Sequence, residues 1–339
     1  MQPITPLENS QRPYFVGVDV GGTNTKIGLV DNQGQTLAYE SIPTNEEAGP
    51  GDCLERTADC VDRMVTSLGM ARSDLKAAGI GTPGPMNIPE GMIHDPTNLP
   101  HWRFFPIRDR LSECLSLPVA FNNDANVAAY GEFWIGSGRD ARGLILLTLG
   151  TGVGGGIIVD GVVVEGVNSF GAECGHIIVD SRPDARLCVW GGGRGELEAY
   201  ASASALAERA KELLAAGRPS SLAERVAAGE TLSTLMLSEE AEQGDALSLE
   251  VILEAATYLG VGIVTLVHTI DPGAVILGGA MDFGGRDAPV GRQFLQRVQE
   301  VFASRAFDIV VRNTVIDYAS LGGDAGYIGA AGVARARFG

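Results

Sequence analysis

The sequence contains one local pattern twice: an apolar run, a glycine-rich turn and a second apolar run. The first copy spans residues 14–31 around Gly21 and Gly22, and the second spans residues 143–164 around residues 150–156. Apolar runs separated by such turns predict strand, turn, strand. The chain of 339 residues also exceeds the usual size of a single hydrophobic core. Together these features predict a duplicated α/β architecture with two domains.

Between and beyond the two copies, the spacing of apolar residues alternates between helical and extended patterns. The predicted elements are a helix over residues 52–69, a strand over 77–81, a turn over 82–85, a long loop over 86–106, a strand over 118–121, a helix over 125–134, helices over 196–269 and a strand over 274–277.

Composition and charge narrow the function classes. Hydrophobic residues make up 45% and charged residues 20% of the chain, as in ordinary globular proteins. The net charge of −17 disfavours nucleic acids and anionic membranes as partners, because both attract positive surfaces. No apolar run approaches the roughly 20 residues of a membrane span. The five cysteines are irregularly spaced, which is typical of reduced thiols, so we expect a cytoplasmic protein.

The first glycine turn, DVGGTNTK, has features of a phosphate-binding turn. Gly21 and Gly22 let the main chain approach a phosphate closely, and Thr23 adds a hydroxyl donor. Asp19 ends the preceding strand and is placed to hold magnesium through water, since this ion keeps much of its hydration shell. Taken alone, the segment fits an ordinary hairpin turn equally well. The spacing of a Walker A loop is absent.

The second glycine turn is denser, with five glycines and a threonine in residues 150–156. Gly150, Gly152 and Gly155 satisfy the G-x-G-x-x-G pattern of dinucleotide-binding loops. That pattern should open a helix, whereas a β-rich run follows here. A phosphate-binding hairpin is therefore the favoured interpretation.

Two further segments carry polar side chains suited to a sugar phosphorylation site. Asp124 lies in NDAN before a predicted helix, where a helix cap is the common alternative. A carboxylate there can accept the proton of a hydroxyl that attacks a phosphate. The segment GAECGH contains Glu173 and His176. Together with Glu198, these side chains can hydrogen-bond several sugar hydroxyls. Alternatively, Glu173 and His176 form a structural pair.

Taken together and in this order, these motifs closely resemble the ROK family of sugar kinases and repressors. The resemblance implies an α/β, actin- and hexokinase-like (ribonuclease H-like) fold of two domains with an active-site cleft between them. It implies a small domain of residues 1–122 with a C-terminal helix at about 324–339, and a larger domain of residues 123–323. The matching segments are VGVDVGGTNTKIGLVD, GTPGP, NLPHW, NNDANVAAYGE, LTLGTGVGGGII, GAECGHIIVD, LEAYAS, VILGGAM and GDAGYIGAA.

Carried over residue by residue, the resemblance implies Asp124 as the catalytic base and places Gly84 facing the sugar. The residues implied to bind the sugar are Asn123, Asp124, Glu173, His176 and Glu198. The residues implied to bind the nucleotide are Asp19, Gly21, Gly22, Thr23, Gly150, Thr151, Gly152, Gly154, Gly278 and Gly279, of which the last two lie by the adenosine. The implied cofactors are ATP and Mg²⁺, the substrate is a hexose, and the assembly is a homodimer or homotetramer.

One departure from the family pattern concerns a structural zinc. Family members usually hold zinc on the histidine of GAExGH and three cysteines that precede LEAYAS. Here His176 and Cys188 match, Trp190 replaces the second cysteine, and Glu196 falls at the third, with one residue inserted. Two ligands cannot close a tetrahedral site, so we expect no structural zinc. Another packing contact, for which Trp190 is a candidate, must then position His176 and Glu198.

The leading interpretation is an ATP-dependent hexokinase that makes a sugar 6-phosphate, with glucose ahead of mannose, fructose and N-acetylhexosamines. Polyphosphate is an alternative donor, because the turns recognise phosphate rather than adenine. A sugar-responsive repressor is disfavoured, since the first phosphate strand begins near Tyr14 and leaves no room for an N-terminal helix-turn-helix. An actin- or Hsp70-like ATPase would have no use for the sugar-binding motifs.

Overall fold

The first predicted strand–turn–strand unit is an antiparallel hairpin in the computed structural model, which describes residues 2–189 and 192–339. The strands are β1 (Tyr14–Val20), β2 (Asn24–Val30), β3 (Thr36–Pro43), β4 (Leu75–Thr82), β5 (Met86–Asn87), β6 (Met92–Ile93), β7 (Val119–Asn123), β8 (Gly143–Leu149), β9 (Val153–Val159), β10 (Val162–Val163), β11 (Ala274–Gly278) and β12 (Val315–Tyr318). The helices are α1 (Gly49–Ser67), α2 (Ile107–Leu115), α3 (Asp124–Trp134), α4 (Glu198–Ala201), α5 (Ala203–Ala215), α6 (Leu222–Ala227), α7 (Thr234–Glu242), α8 (Ala246–Ile270), α9 (Pro289–Ala303), α10 (Asp308–Asn313) and α11 (Ala325–Phe338).

The chain divides into two compact units. The first comprises Met1–Leu144, Gly156–Ala172 and Ala319–Gly339, and the second comprises Ile145–Gly155 and Glu173–Tyr318. The boundary runs through β8 and β9. The domain division predicted from the sequence, at residues 122 and 324, stays a prediction.

The sheet of the first unit brings three strand ends to one edge. Its strand order is β3-β2-β1-β4-β7, and β1, β4 and β7 are parallel. In this register Asp19 pairs with Gly81, and Gly81 pairs with Asn122. Neighbouring strands lie about 4.8 Å apart, so the backbones of Asp19 and Asn122 are roughly 10 Å apart. The carboxyl ends of parallel strands are where α/β sheets place ligand-binding residues.

Small residues allow the C-terminal helix α11 to lie directly on this sheet. A Cβ atom at Gly17 in β1 would lie 1.8 Å from the carbonyl oxygen of Tyr327. A Cβ atom at Gly79 in β4 would lie 1.8 Å from the carbonyl oxygen of Ala330. Any larger residue at either position would push helix and sheet apart. The glycines thus fix the beginning of α11 close to the strand ends that carry Asp19 and Asn122.

The second glycine turn is shorter than the sequence predicted. The sheet order is β10-β9-β8-β11-β12, and β9 already begins at Val153, so Gly154–Gly156 lie in a strand rather than in the turn. A Cβ atom at Gly156 would lie 2.5 Å from the Ala129 Cβ and 2.7 Å from the Ala125 carbonyl oxygen. Gly156 is therefore explained by the close approach of α3 to β9.

Several elements were missing from the sequence prediction. The long loop predicted over residues 86–106 contains the small antiparallel hairpin β5–β6. Strands β3 and β12 and helices α2 and α9 were also not predicted. For α9 the signal was present, because its buried Val290, Phe294, Val298 and Phe302 recur at helical spacing.

Helix α8 is long and apolar enough to cross a membrane by length and composition, with a mean hydropathy of 1.7 over its best window. The sequence prediction that no apolar segment reaches that length was therefore wrong. In this protein 56% of that window is buried, and the helix packs against α9, α7 and α5. A core helix of a globular unit accounts for both observations.

Candidate functional site

Asp124 occupies the junction between β7 and α3, as the sequence predicted. The Oδ1 atom of Asn123 accepts from the main-chain N–H of Ala125 at 2.9 Å and caps the helix. The same N–H also donates to the Oδ1 atom of Asp124 at 2.8 Å. The helix-cap interpretation is therefore correct for Asn123, which leaves Asp124 as the first residue of α3.

The carboxylate of Asp124 has an unusual proton affinity. Burial raises its pKa above the ordinary value, and the hydrogen bonds from the main-chain N–H groups of Ala125 and Asp124 oppose that rise. A carboxylate with a raised pKa is a stronger base than an exposed one, so it accepts a proton more readily from a hydroxyl.

A polar network beneath this junction was not predicted. The Oδ1 atom of Asn122, which is fully buried, accepts from the main-chain N–H of Asn123 and from the Nδ2 atom of Asn126, each at 2.9 Å. Its Nδ2 atom donates to Glu165 Oε1 at 2.8 Å. Asn122 thus ties the loop that carries Glu165 to the strand end beside Asp124. Its spacing from Asn126 of four residues is the one signal in the sequence.

The first glycine turn lies at the same edge of the sheet as Asn122. The main-chain N–H of Gly21 donates to the Asn24 carbonyl oxygen at 3.0 Å, which closes the turn between β1 and β2. Gly22 and Thr23 are exposed at its tip. Gly84 belongs to this edge too, because a Cβ atom there would lie 3.7 Å from Asn123 Nδ2.

Asp19 combines burial with a charged neighbour. Burial raises its pKa to about 6; Lys26 opposes this rise, and the negative charge of Asp124 adds to it. The ammonium group of Lys26 is itself held by the Gly323 carbonyl oxygen at 2.6 Å. Two carboxylates that repel each other fit a site for a divalent cation, since the cation would relieve the repulsion. Among residues 2–189 and 192–339, no group of three or more His, Cys, Asp and Glu side chains is arranged to ligate a metal.

In the second unit, the turn between β8 and β9 is anchored from α5. The Gly150 carbonyl oxygen accepts from the main-chain N–H of Ala203 at 2.8 Å, and the Thr151 carbonyl oxygen accepts from Ser204 Oγ at 2.9 Å. A Cβ atom at Gly279 would lie 2.2 Å from the Leu149 carbonyl oxygen. The pair Gly278 and Gly279 at the end of β11 therefore lies against the start of this turn.

Glu198 connects the glycine turn to the cysteine segment. Its Oε2 atom accepts from the main-chain N–H of Val153 at 2.8 Å, and its Oε1 atom accepts from Cys188 Sγ at 2.9 Å. A Cβ atom at Gly152 would lie 2.3 Å from Glu198 Oε2, so a side chain there would displace the carboxylate. Each carboxylate oxygen has a further lone pair, so Glu198 retains the capacity to accept from a sugar hydroxyl.

Glu173 precedes a short 3-10 helix, Cys174–His176, and His176 ends it; both side chains are exposed. The Nε2 atom of His176 lies 4.0 Å from Glu173 Oε2, which is too long for a hydrogen bond. The Nδ1 atom lies 3.1 Å from Glu196 Oε2. The pair considered from the sequence, Glu173 with His176, is thus at the limit of ion-pair distance without a hydrogen bond, and His176 also contacts Glu196.

Comparisons with known proteins agree on one family. The ROK family model matches residues 15–337. A glucokinase of Halalkalibacterium halodurans is 35% identical over 316 residues, which cover 93% of each chain. The chain belongs to the ROK family.

Solved structures of ROK proteins have the same fold. A ROK hexokinase from Thermus thermophilus is 31% identical, with a TM-score of 0.79 over 96% of this chain and 98% of that one. A ROK glucokinase from Streptomyces griseus, solved with glucose and AMPPNP, is 32% identical, with a TM-score of 0.71 over 95% of this chain and 99% of that one. The chain therefore has the two-domain, actin-like α/β fold, as predicted.

The residues at the zinc position of ROK proteins do not fit a zinc site here. The thiol of Cys188 is directed to Glu198, while the ring of His176 is directed to Glu196. Each of these two groups is thus hydrogen-bonded to a different carboxylate. A closed zinc site would instead need four ligands directed at one point. The suggestion that Trp190 braces the segment concerns a residue outside those that the structure describes.

The structure brings the predicted residues together as two clusters. The cluster of the first unit contains Asp19, Gly21, Gly22, Thr23, Gly84, Asn123 and Asp124. The cluster of the second unit contains Gly150, Thr151, Gly152, Gly154, Glu173, His176, Glu198, Gly278 and Gly279. Sequence reasoning missed Asn122, Glu165 and the contact of Glu196 with His176. The partners of Glu165 and Glu196 lie at least 20 residues away in the sequence, so no local pattern indicates these contacts.

Proposed function

We propose that this chain transfers the terminal phosphoryl group of ATP to the 6-hydroxyl of glucose, with Asp124 as the general base. The broader assignment, a sugar kinase, rests on membership of the ROK family and on relatives named glucokinase at 35, 31 and 32% identity. The finer assignment is carried by one observation: Asp124 begins α3 directly after Asn123, at the same sheet edge as the first glycine turn. The raised pKa of its carboxyl group agrees with this position.

In the proposed reaction, Asp124 accepts the proton of the 6-hydroxyl while its oxygen attacks phosphorus. The raised pKa supports this role, because a base is most effective when its pKa approaches the working pH. Proton removal makes the hydroxyl oxygen a better nucleophile as the bond to ADP breaks. Asn123 beside it is assigned to a neighbouring hydroxyl, and a Cβ atom at Gly84 would lie 3.7 Å from its Nδ2 atom.

Phosphate recognition is assigned to the main chain of the two glycine turns. Gly21, Gly22 and Thr23 form one turn, Gly150, Thr151 and Gly152 form the other, and Gly154 follows it in β9. The N–H groups of Gly21 and Gly150 close the two turns, so the N–H groups of the remaining turn residues are proposed to supply the positive counterpart that a chain with a net charge of −17 otherwise lacks. Asp19 would hold Mg²⁺ through water. Bound magnesium would neutralise phosphate charge during the transfer.

Glu173, His176 and Glu198 are assigned to the remaining sugar hydroxyls. Each offers an acceptor, and a sugar with hydroxyls in the wrong configuration would leave one of them unpaired. Such unpaired groups discriminate strongly between substrates. We place the enzyme in the cytoplasm as a homodimer or homotetramer and keep Gly278 and Gly279 as the adenosine contacts.

A coupled kinase assay tests this proposal. Glucose, mannose, fructose and N-acetylglucosamine are each offered with ATP and, separately, with polyphosphate. We expect the highest kcat/KM for glucose with ATP. A higher value for another sugar would correct the substrate, and a higher value with polyphosphate would correct the donor. Hydrolysis of ATP at one rate with and without any sugar would refute the proposal in favour of a simple ATPase.

A further inference from the structure

Glu196 is nearly buried, yet it contacts an exposed residue of the sugar-binding cluster. Glu196 is 8% exposed, whereas the side chain of His176 is 49% exposed. The Oε2 atom of Glu196 lies 3.1 Å from the Nδ1 atom of His176. Its Oε1 atom accepts from the main-chain N–H of Gly193 at 2.9 Å. Both carboxylate oxygens are therefore engaged, and the position of the group is defined from two sides.

The main chain fixes Glu196 relative to His176. Ile178 and Glu196 form an isolated antiparallel bridge, and the main-chain N–H of Leu197 donates to the Ile177 carbonyl oxygen at 2.9 Å. Ile177 and Ile178, which follow His176, are thus paired with Glu196 and Leu197. The hydrogen bond between the two side chains closes this arrangement.

The hydrogen bond between Glu196 and His176 determines which ring nitrogen of His176 carries the hydrogen. An ionised carboxylate can only accept, so the Nδ1 atom of His176 must be protonated. In the neutral ring, Nε2 is then an acceptor. That atom lies 4.0 Å from Glu173 Oε2, a second acceptor. Two acceptors at this spacing suit two neighbouring hydroxyl groups of one sugar, each of which donates one hydrogen.

We propose that Glu196 is a positioning residue, which holds the imidazole of His176 with hydrogen on Nδ1 so that Nε2 accepts from a sugar hydroxyl. In this chain the set of zinc ligands is incomplete, and the carboxylate of Glu196 orients His176 in place of a zinc ion. The inference rests on the proposed function, because His176 has a sugar to contact only in a sugar kinase. The identity of the sugar does not enter it.

The position of the hydrogen can be measured without any substrate. Two-bond proton–nitrogen correlation spectra of the ¹⁵N-labelled full chain at pH 8 distinguish the two neutral tautomers. The chain has four histidines, and a His176→Gln variant assigns the signal of His176. We expect the Nδ1–H form in the unaltered protein and a mixture of tautomers in Glu196→Ala. The Nε2–H form in the unaltered protein would overturn the inference, whatever the enzyme phosphorylates.

A double-mutant cycle tests whether Glu196 acts through His176. We expect Glu196→Ala to raise the KM for glucose about tenfold, the scale of a lost charge-assisted hydrogen bond. In a His176→Ala background the same change should raise it less than about twofold, because interacting residues are not additive. The KM for ATP should stay within about twofold. Equal effects in both backgrounds, or on both substrates, would overturn the inference and indicate a general structural role.

Conservative and control variants guard against misfolding. Glu196→Gln keeps an oxygen that accepts from Nδ1, so we expect it to restore most of the sugar affinity. Glu250→Gln removes a carboxylate from an exposed pair with Arg218 and should leave both KM values unchanged. If the unaltered chain phosphorylates no hexose, the proposed function fails while the tautomer measurement still decides the role of Glu196.

Discussion

Asp124 follows a strand and begins a helix, whereas His176 ends a three-residue 3-10 helix in a segment with little regular structure. The first residue is fixed by the register of β7 in its sheet and by main-chain donors at the start of α3. The second has a side-chain hydrogen bond to Glu196, and Glu198 accepts both from the thiol of Cys188 and from the main-chain N–H of Val153. The proposed base is therefore positioned by the fold itself, whereas the proposed sugar contacts of the second unit rely more on hydrogen bonds between side chains.

The largest expected effect is on turnover at Asp124. Replacement by asparagine keeps the shape but removes the base, so kcat should fall about 10³- to 10⁴-fold, the upper range for a general base. The affinities for glucose and ATP should change little, because the cluster around Asp124 is held by the main chain. Asp109→Asn, which alters an exposed pair with Arg108, is the control. A fall in kcat below tenfold would remove Asp124 from the role of base.

The next effect is on stability at Glu132, which lies on the same helix as Asp124 and is fully buried. Its carboxylate accepts from the main-chain N–H groups of Ser137, Ser320 and Leu321 at 2.8, 3.0 and 2.7 Å. Glu132→Ala removes the acceptor that these donors share, so we expect a loss of about 3 kcal/mol in unfolding free energy. Urea unfolding measures it, and a loss below about 1 kcal/mol would contradict the view that buried contacts fix this region.

The pH dependence of stability should reveal the raised pKa of Asp124. Its pKa is raised in the folded state, so the folded protein binds more protons than the unfolded one between the ordinary and the raised values. Stability from this group is therefore lost as pH rises through that window. Asparagine does not ionise, so the Asp124→Asn protein should not lose this stability and should be the more stable protein at pH 7. Unfolding of both proteins from pH 4, near the ordinary value, to pH 8 measures the difference, and a less stable asparagine variant at pH 7 would contradict the sign.

A smaller effect is expected at Cys188, whose thiol donates to Glu198. Cys188→Ala removes one donor but leaves the N–H of Val153 in place, so the KM for glucose should rise about threefold, roughly the effect of one neutral hydrogen bond. Cys188→Ser keeps a donor and should stay close to the unaltered enzyme. Identical behaviour of the two variants would show that packing of the thiol, rather than its hydrogen bond, matters.

The smallest effect is expected from chelation. Because His176 and Cys188 are engaged with carboxylates, treatment with a strong chelator followed by return of magnesium should leave Tm and kcat unchanged. Elemental analysis of the purified protein should find well under one zinc per chain. Stoichiometric zinc, or a chelator-dependent drop in Tm, would replace the carboxylate account of the second region by a metal-based one.

The same contrast explains what could be predicted from sequence. The strand and helix around Asp124 were predicted to within about two residues, because an asparagine cap and apolar periodicity are local signals. The role of Glu196 was not predicted, since it depends on a bridge with Ile178 that no local pattern encodes. Glu165 was missed for the same reason. Gly156 was assigned to a turn. A glycine is needed there because α3, which lies elsewhere in the sequence, approaches this position closely.

The central claim, phosphoryl transfer from ATP to the 6-hydroxyl of glucose with Asp124 as base, is tested most directly by identifying the product. Phosphorus-31 spectra of a reaction of the unaltered enzyme with glucose, ATP and magnesium should show glucose 6-phosphate formed in equal amounts with ADP. The Asp124→Asn enzyme should form neither at a comparable rate. Inorganic phosphate in place of a sugar phosphate, or phosphate on another hydroxyl, would contradict the account.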